Sequence, residues 1–138
     1  MTFALDPRLA ADTLLVGDLP LSRVLLMNDS RFPWLILVPR RGRLSELHDL
    51  SRHERAALIE ETARAGEKLK SLTSAAKINI GALGNIVSQL HVHVVARFEG
   101  DAAWPGPVWG AGMAAPYSSA AAQELVRDLV VALGHAGA

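Results

Sequence analysis

From Ser88 to Phe98 the chain reads SQLHVHVVARF, and from Gln89 to Val94 polar and apolar residues alternate. A period of two is the mark of a strand with unlike faces. A strand over roughly Gln89 to Phe98 turns Leu90, Val92 and Val94 to one side and Gln89, His91, His93 and Val95 to the other. The apolar side must meet a core. An imidazole without a partner is costly to bury, so the other side must meet solvent, a ligand or a satisfied polar pocket.

The remaining elements are arranged around that strand. Asp6 followed by Pro7 is an N-cap and N1 pair, which predicts a short helix from Pro7 to about Asp12. Leu21 to Asp29 and Pro33 to Arg41 read as strands, and the short polar NDSRF between them makes an antiparallel hairpin. Ser51 with Glu54 is a capping box, and Leu58, Thr62, Ala65, Leu69 and Leu72 draw one stripe along a long helix that covers a face of the sheet. Glu60 and Arg64 stand four apart on its solvated side.

Beyond this helix, Ala76 to Ile80 is a further strand, and Gly81 and Gly84 mark a loop whose backbone can approach a ligand closely. Glu99 to Tyr117, with Trp104 and Trp109, has no period and reads as an extended ordered arm. A last helix begins near Ser119, carries Leu125, Leu129 and Leu133, and stops at Gly134. Segregated helices and hairpin-linked strands predict an α+β fold. With neither a linker nor a repeat, residues 1–138 read as a single domain.

Several function classes fall away. The 14 basic and 14 acidic residues balance, so no overall field draws nucleic acid or an anionic membrane. Without cysteine there is no disulfide, thiolate chemistry or Cys-based metal centre. The start MTFALDPRLA lacks a signal-peptide pattern and no apolar run reaches the ~18 residues of a membrane span, so the expected compartment is the cytoplasm.

Three uses of the His pair compete. It can be the outer face of a half-exposed strand. It can share a metal, with a third ligand from His48, Asp49, His53 or His135. It can also work on phosphorus, one neutral imidazole attacking while the other donates to phosphoryl oxygens.

IVSQLHVHVVAR resembles the signature of the histidine triad (HIT) family, in which three histidines alternate with hydrophobic residues. The likeness runs from about Leu21 to Phe98 and includes LILVPRR ahead of the long helix, so the chain looks like a bacterial-type member with Gln89 in place of the first triad His. Asn85 and Ile86 depart from the usual run into the triad, and Gly42 stands where a His is usual. The resemblance implies a HIT-like fold, mainly antiparallel, with one long helix after the first hairpin and a C-terminal helix.

It also implies a nucleotide hydrolase or nucleotidyl transferase acting at an α-phosphate. By register His91 is the nucleophile and His93 contacts the phosphate, beside Gln89, whose amide donates a hydrogen bond but exchanges no proton. Asp29, Asn79, Gly84, Asn85 and Ser88 fall where nucleotide contacts are expected. The family implies a homodimer, often with one sheet continuous across both subunits, and no cofactor or metal. Two rivals stand beside this reading: a nucleotide-binding module with little or no turnover, and a metal protein built on His91 and His93. Asp29 also reads as a plain turn residue, and the arm tryptophans as anchors that pack near the site or meet a partner. Arg97, with Arg40, Arg41 and Arg43, reads as positive charge near a phosphate or as ordinary solvated surface.

Overall fold

The computed structural model describes residues 2–134. Helix α1 (Pro7–Asp12) begins as expected, with the Asp6 carboxylate accepting from the Arg8 amide at 2.8 Å. Five strands follow: β1 (Thr13–Asp18), β2 (Ser22–Met27), β3 (Trp34–Pro39), β4 (Lys77–Gly81) and β5 (Val92–Arg97). They form one sheet in the order β1-β2-β3-β5-β4 with every neighbouring pair antiparallel. Helix α2 (Arg52–Thr73) links β3 to β4, and α3 (Ser119–Ala132) comes last. No described helix is long and apolar enough to cross a membrane. This is the α+β, HIT-like arrangement the sequence pointed to.

The two sides of the sheet bury different residues. Leu35, Leu37, Val92, Val94 and Ala96 pack with Leu58, Ala65 and Leu69 of α2 and Leu129 of α3. Trp34, Ile36, Val38 and Val95 face the other way and pack with Leu9, Phe32 and Val108. Every residue of β3 is buried because both faces are covered. Val92 and Val94 point to the helices as the alternation required, and the opposite face of β5 lies under the arm.

The capping box of α2 is present, with Ser51 Oγ accepting from the Glu54 amide and Glu54 Oε1 from the Ser51 amide. Its stripe needs one correction: Leu72 is 38% exposed, while Glu61 is buried. Glu61 accepts from the Leu21 and Ser22 amides at 2.7 and 3.0 Å, which binds the helix to the start of β2. Arg64 does not reach Glu60; it donates to the Leu133 carbonyl at 3.0 Å and so ties α2 to the end of α3. That end matches expectation, with Leu133 buried and Gly134 at φ 68°, the left-handed stop glycine accepts readily.

Strand β1 was not expected. Its pairing with β2 slips between Leu15 and Gly17, and this bulge at Val16 breaks the alternation by which a short strand is recognised. The expected strand from Gln89 also starts later, since Gln89, Leu90 and His91 precede the ladder that begins at Val92.

Arg97, at the end of β5, corrects the surface reading most sharply: its side chain is 1% exposed. Nε and Nη2 meet both oxygens of Asp101 at 2.8 and 3.0 Å, and Nη1 donates to Asn79 Oδ1 at 2.8 Å. The guanidinium lies over the rings of Phe32 and Trp104. Asp101 also accepts from the Phe98, Ala103 and Trp104 amides, so one ion pair shapes the first turn of the arm. The Arg97 guanidinium and these amides hold the Asp101 carboxyl well below the usual carboxylate range. Removing one member leaves the other charge buried, so Asp101→Ala is expected to lower the unfolding free energy by about 3–5 kcal/mol. Urea denaturation measures this, and a loss below about 1 kcal/mol would show the pair to be dispensable.

Candidate active site

His91 stands just before β5 and His93 just inside it, both 6% exposed, with ring centroids 4.8 Å apart. Two backbone features fix them. The Leu90 amide donates to the Leu44 carbonyl, pinning the approach to the strand, and His93 lies between Ile36 of β3 and Gly81 of β4 in the ladder. His91 Nδ1 stands 2.6 Å from the main-chain carbonyl of Gln89. His93 Nδ1 stands 3.0 Å from Trp34 Nε1. Trp34 and Trp109 both meet the His93 ring edge to face, with centroids at 5.6 and 5.4 Å. Gly81 makes room for this layer, because a Cβ there would stand 3.0 Å from the Trp109 ring.

The other expected residues are placed unequally. Gln89 directs its side chain to the N-terminal segment, Nε2 donating to the Ala4 carbonyl at 2.9 Å and Oε1 accepting from the Asp6 amide at 2.8 Å. Its nearest service to the pair is the main-chain carbonyl under His91. Gly84, at φ 77°, takes the left-handed conformation that favours glycine, and Gly84, Gln89 and His91 line a cavity of 270 Å³ with His48. Asn85 and Ser88 lie in the same loop, which Arg8 fastens through the Ile86 carbonyl at 3.2 Å. A larger cavity of 810 Å³ beside α2 is lined by Glu60, Arg64 and Glu67 and holds none of the histidines, so its size does not make it the site.

Asp29 and Asn79 are engaged within the fold. Asp29 is 2% exposed and receives Arg31 and the Ala115 amide. Burial opposes its charge, yet the Arg31 side chain and the Ala115 and Arg31 amides hold its carboxyl below the ordinary value. Asn79 accepts from Arg97. Neighbouring bonds from Tyr117 N to Asn28 Oδ1 and from Ser30 N to the Ala115 carbonyl show that the NDSR turn clasps the far end of the arm.

Among the described residues, no three His, Cys, Asp or Glu side chains come together to hold a metal ion. Asp49 instead caps its own 3-10 turn by accepting from the Ser45 and Glu46 amides, His53 is exposed in the first turn of α2, and His135 lies outside the described residues. The sequence reading missed Trp34 as a neighbour of His93. Its signal was register: with β3 and β5 antiparallel, Trp34 shares a face with Ile36, the residue opposite His93.

An antiparallel five-stranded sheet, a long capped helix and two imidazoles where β5 begins define a class, the HIT-like α+β proteins. The family model described as the HIT domain matches residues 8–100, and the chain belongs to that family. The crystal structure of a histidine triad protein from Sinorhizobium meliloti 1021 is 50% identical, with a TM-score of 0.92 over 94% of this chain and 96% of that one. A histidine triad protein from Bradyrhizobium japonicum is 44% identical, with a TM-score of 0.94 over 96% and 99%. An AP-4-A phosphorylase from Mycobacterium tuberculosis is 40% identical over 74 residues, 49% of this chain but only 37% of that relative's length.

His93 has a pH signature. Burial, and then the neighbouring His91, push His93 down from 6.5 to about 4. Between those values the unfolded chain binds a proton that the folded chain refuses, so stability is full above about pH 6.5 and falls as pH drops. The expected slope is at most about 1.4 kcal/mol per pH unit. Chemical denaturation from pH 7 to pH 4.5 should show that slope in the wild type and a shallower one in His93→Gln; parallel slopes would contradict it.

Proposed function

We propose that this chain is a nucleotidyl hydrolase or transferase that works through a nucleotidyl-histidine intermediate on His91. One observation carries the reading, the 2.6 Å contact between His91 Nδ1 and the Gln89 carbonyl. A carbonyl only accepts, so Nδ1 holds a ring proton, and in the neutral ring Nε2 is then the nitrogen with the lone pair, the form a nucleophilic imidazole requires. Nε2 attacks the α-phosphorus, a P–N bond forms, and the bond from phosphorus to the leaving group breaks with its electron pair. Water or another acceptor then attacks the same phosphorus, the P–N bond breaks, and the acceptor's proton is released. His93 and the loop amides from Gly84 to Ile86, with Ser88, offer hydrogen bonds to the phosphoryl oxygens.

The leaving group narrows the substrate. In this reading Gln89 occupies the first triad position, and an amide cannot protonate a departing atom. A phosphate-terminated leaving group departs as an anion without that help, whereas an amine needs the proton. A dinucleoside polyphosphate is therefore favoured over a nucleoside phosphoramidate, in keeping with the name of the M. tuberculosis relative. We read the working form as a homodimer. Among the described residues β4 pairs only with β5, and Ile80, Leu83 and Ile86 are exposed along and beyond that edge.

His91→Ala is expected to reduce turnover of dinucleoside polyphosphates by at least about 10³-fold, the scale of losing a covalent nucleophile. Circular dichroism should be unchanged. Wild-type turnover in that variant would overturn the assignment, and tight nucleotide binding without any wild-type turnover would leave a binding module.

A further inference from the structure

The second ring of the pair has a partner of the opposite kind. An indole Nε1–H donates and has no lone pair to accept with. At 3.0 Å from His93 Nδ1, the Trp34 Nε1–H must be the donor and Nδ1 the acceptor. A neutral imidazole that accepts at Nδ1 carries its proton on Nε2. Protonating Nδ1 instead would set two N–H groups against each other in a place largely closed to solvent, since Trp34 and His93 are each only 6% exposed.

The indole itself has little freedom. Trp34 meets Phe32 and Trp109 edge to face, both at 6.4 Å, and its backbone is paired with Val95. His93 is held from the other direction by Trp109 and by its place in the ladder between Ile36 and Gly81.

We propose that Trp34 is a positioning residue that locks His93 as an Nε2–H donor, so that the two histidines stand in opposite tautomers, His91 offering a lone pair and His93 a proton. The functional half of this inference rests on the reading of His91 as nucleophile. An attack on phosphorus needs both offers at once: a lone pair for the phosphorus and a donor for the oxygen that gathers charge. If His93 took the other tautomer, its Nε2 lone pair would repel the phosphoryl oxygens. A carbonyl under one ring and an indole beside the other separate two roles that a free pair of imidazoles would exchange.

The test reads the tautomers directly. Long-range ¹⁵N–¹H correlation spectra of the ¹⁵N-labelled wild type at pH 7 should show His93 with a protonated Nε2 and a bare Nδ1, and His91 with the reverse. In Trp34→Phe, which keeps an aromatic ring but removes the donor, His93 should shift toward a mixture of both tautomers while His91 keeps its pattern. Turnover of a dinucleoside polyphosphate by that variant should fall at least about tenfold in kcat with KM little changed, as for other imidazoles that lose an orienting partner. A wild-type His93 protonated on Nδ1, an unchanged His93 pattern in Trp34→Phe, or full kcat in that variant would each overturn the proposal. If the variant does not fold, the wild-type spectrum still decides the tautomer. The expected spectra together with full turnover in His91→Ala would leave the lock standing and remove the nucleophile reading, so the two failures are distinct.

Discussion

A guanidinium removed from water must be met on all sides, and Arg97 sets that demand at the end of β5. Its side chain is 1% exposed, and Asp101, Asn79 and the rings of Phe32 and Trp104 together satisfy it. Four residues after the arginine, Asp101 collects three backbone amides as well, so the chain must turn there. The arm that follows runs back across the sheet and is clasped at its far end by Asn28, Asp29 and Ser30. A buried pair of this kind is weak evidence for net stability. Its strength lies in specificity, because few arrangements of the arm satisfy both charges.

That fastening decides the setting of the histidines. The apolar residues of β5 pack on α2, an ordinary core, whereas His93 and Val95 on its other face lie beneath Trp34, Val108 and Trp109. Two imidazoles less than 5 Å apart therefore experience different conditions. His93 has a donor at Nδ1, and burial, with His91 beside it, keeps it neutral. His91 has an acceptor at Nδ1 and borders a cavity. The chemistry available to each ring follows from what its Nδ1 touches.

Much of this was legible from residue order. The α2 capping box, the β2–β3 hairpin, the α3 leucines and the alternation of β5 each rest on local rules that survive packing. The HIT likeness needed only the strand and its surroundings. What escaped has a common cause. Strand β1 is hidden by its bulge, Arg97 reads equally well as solvated surface, and the buried roles of Glu61 and Asp29 depend on amides of Leu21, Ser22 and Ala115 far off in sequence. Gln89 is the instructive case: its spacing aligns it with the histidines, yet its amide bonds to Ala4 and Asp6, 85 and 83 residues away in sequence. Trp34 belongs with these, since only the β3–β5 register brings its indole to His93.

The most direct measurement on His91 is to mix the protein rapidly with a dinucleoside polyphosphate, quench at high pH, where a phosphorus–nitrogen bond persists, and map the modified residue by mass spectrometry. One nucleotidyl group should be found on His91, formed and discharged at rates that account for steady-state turnover. Turnover with no adduct, or with the nucleotidyl group on another residue, would mean that the lone pair left by the Gln89 carbonyl is not the nucleophile.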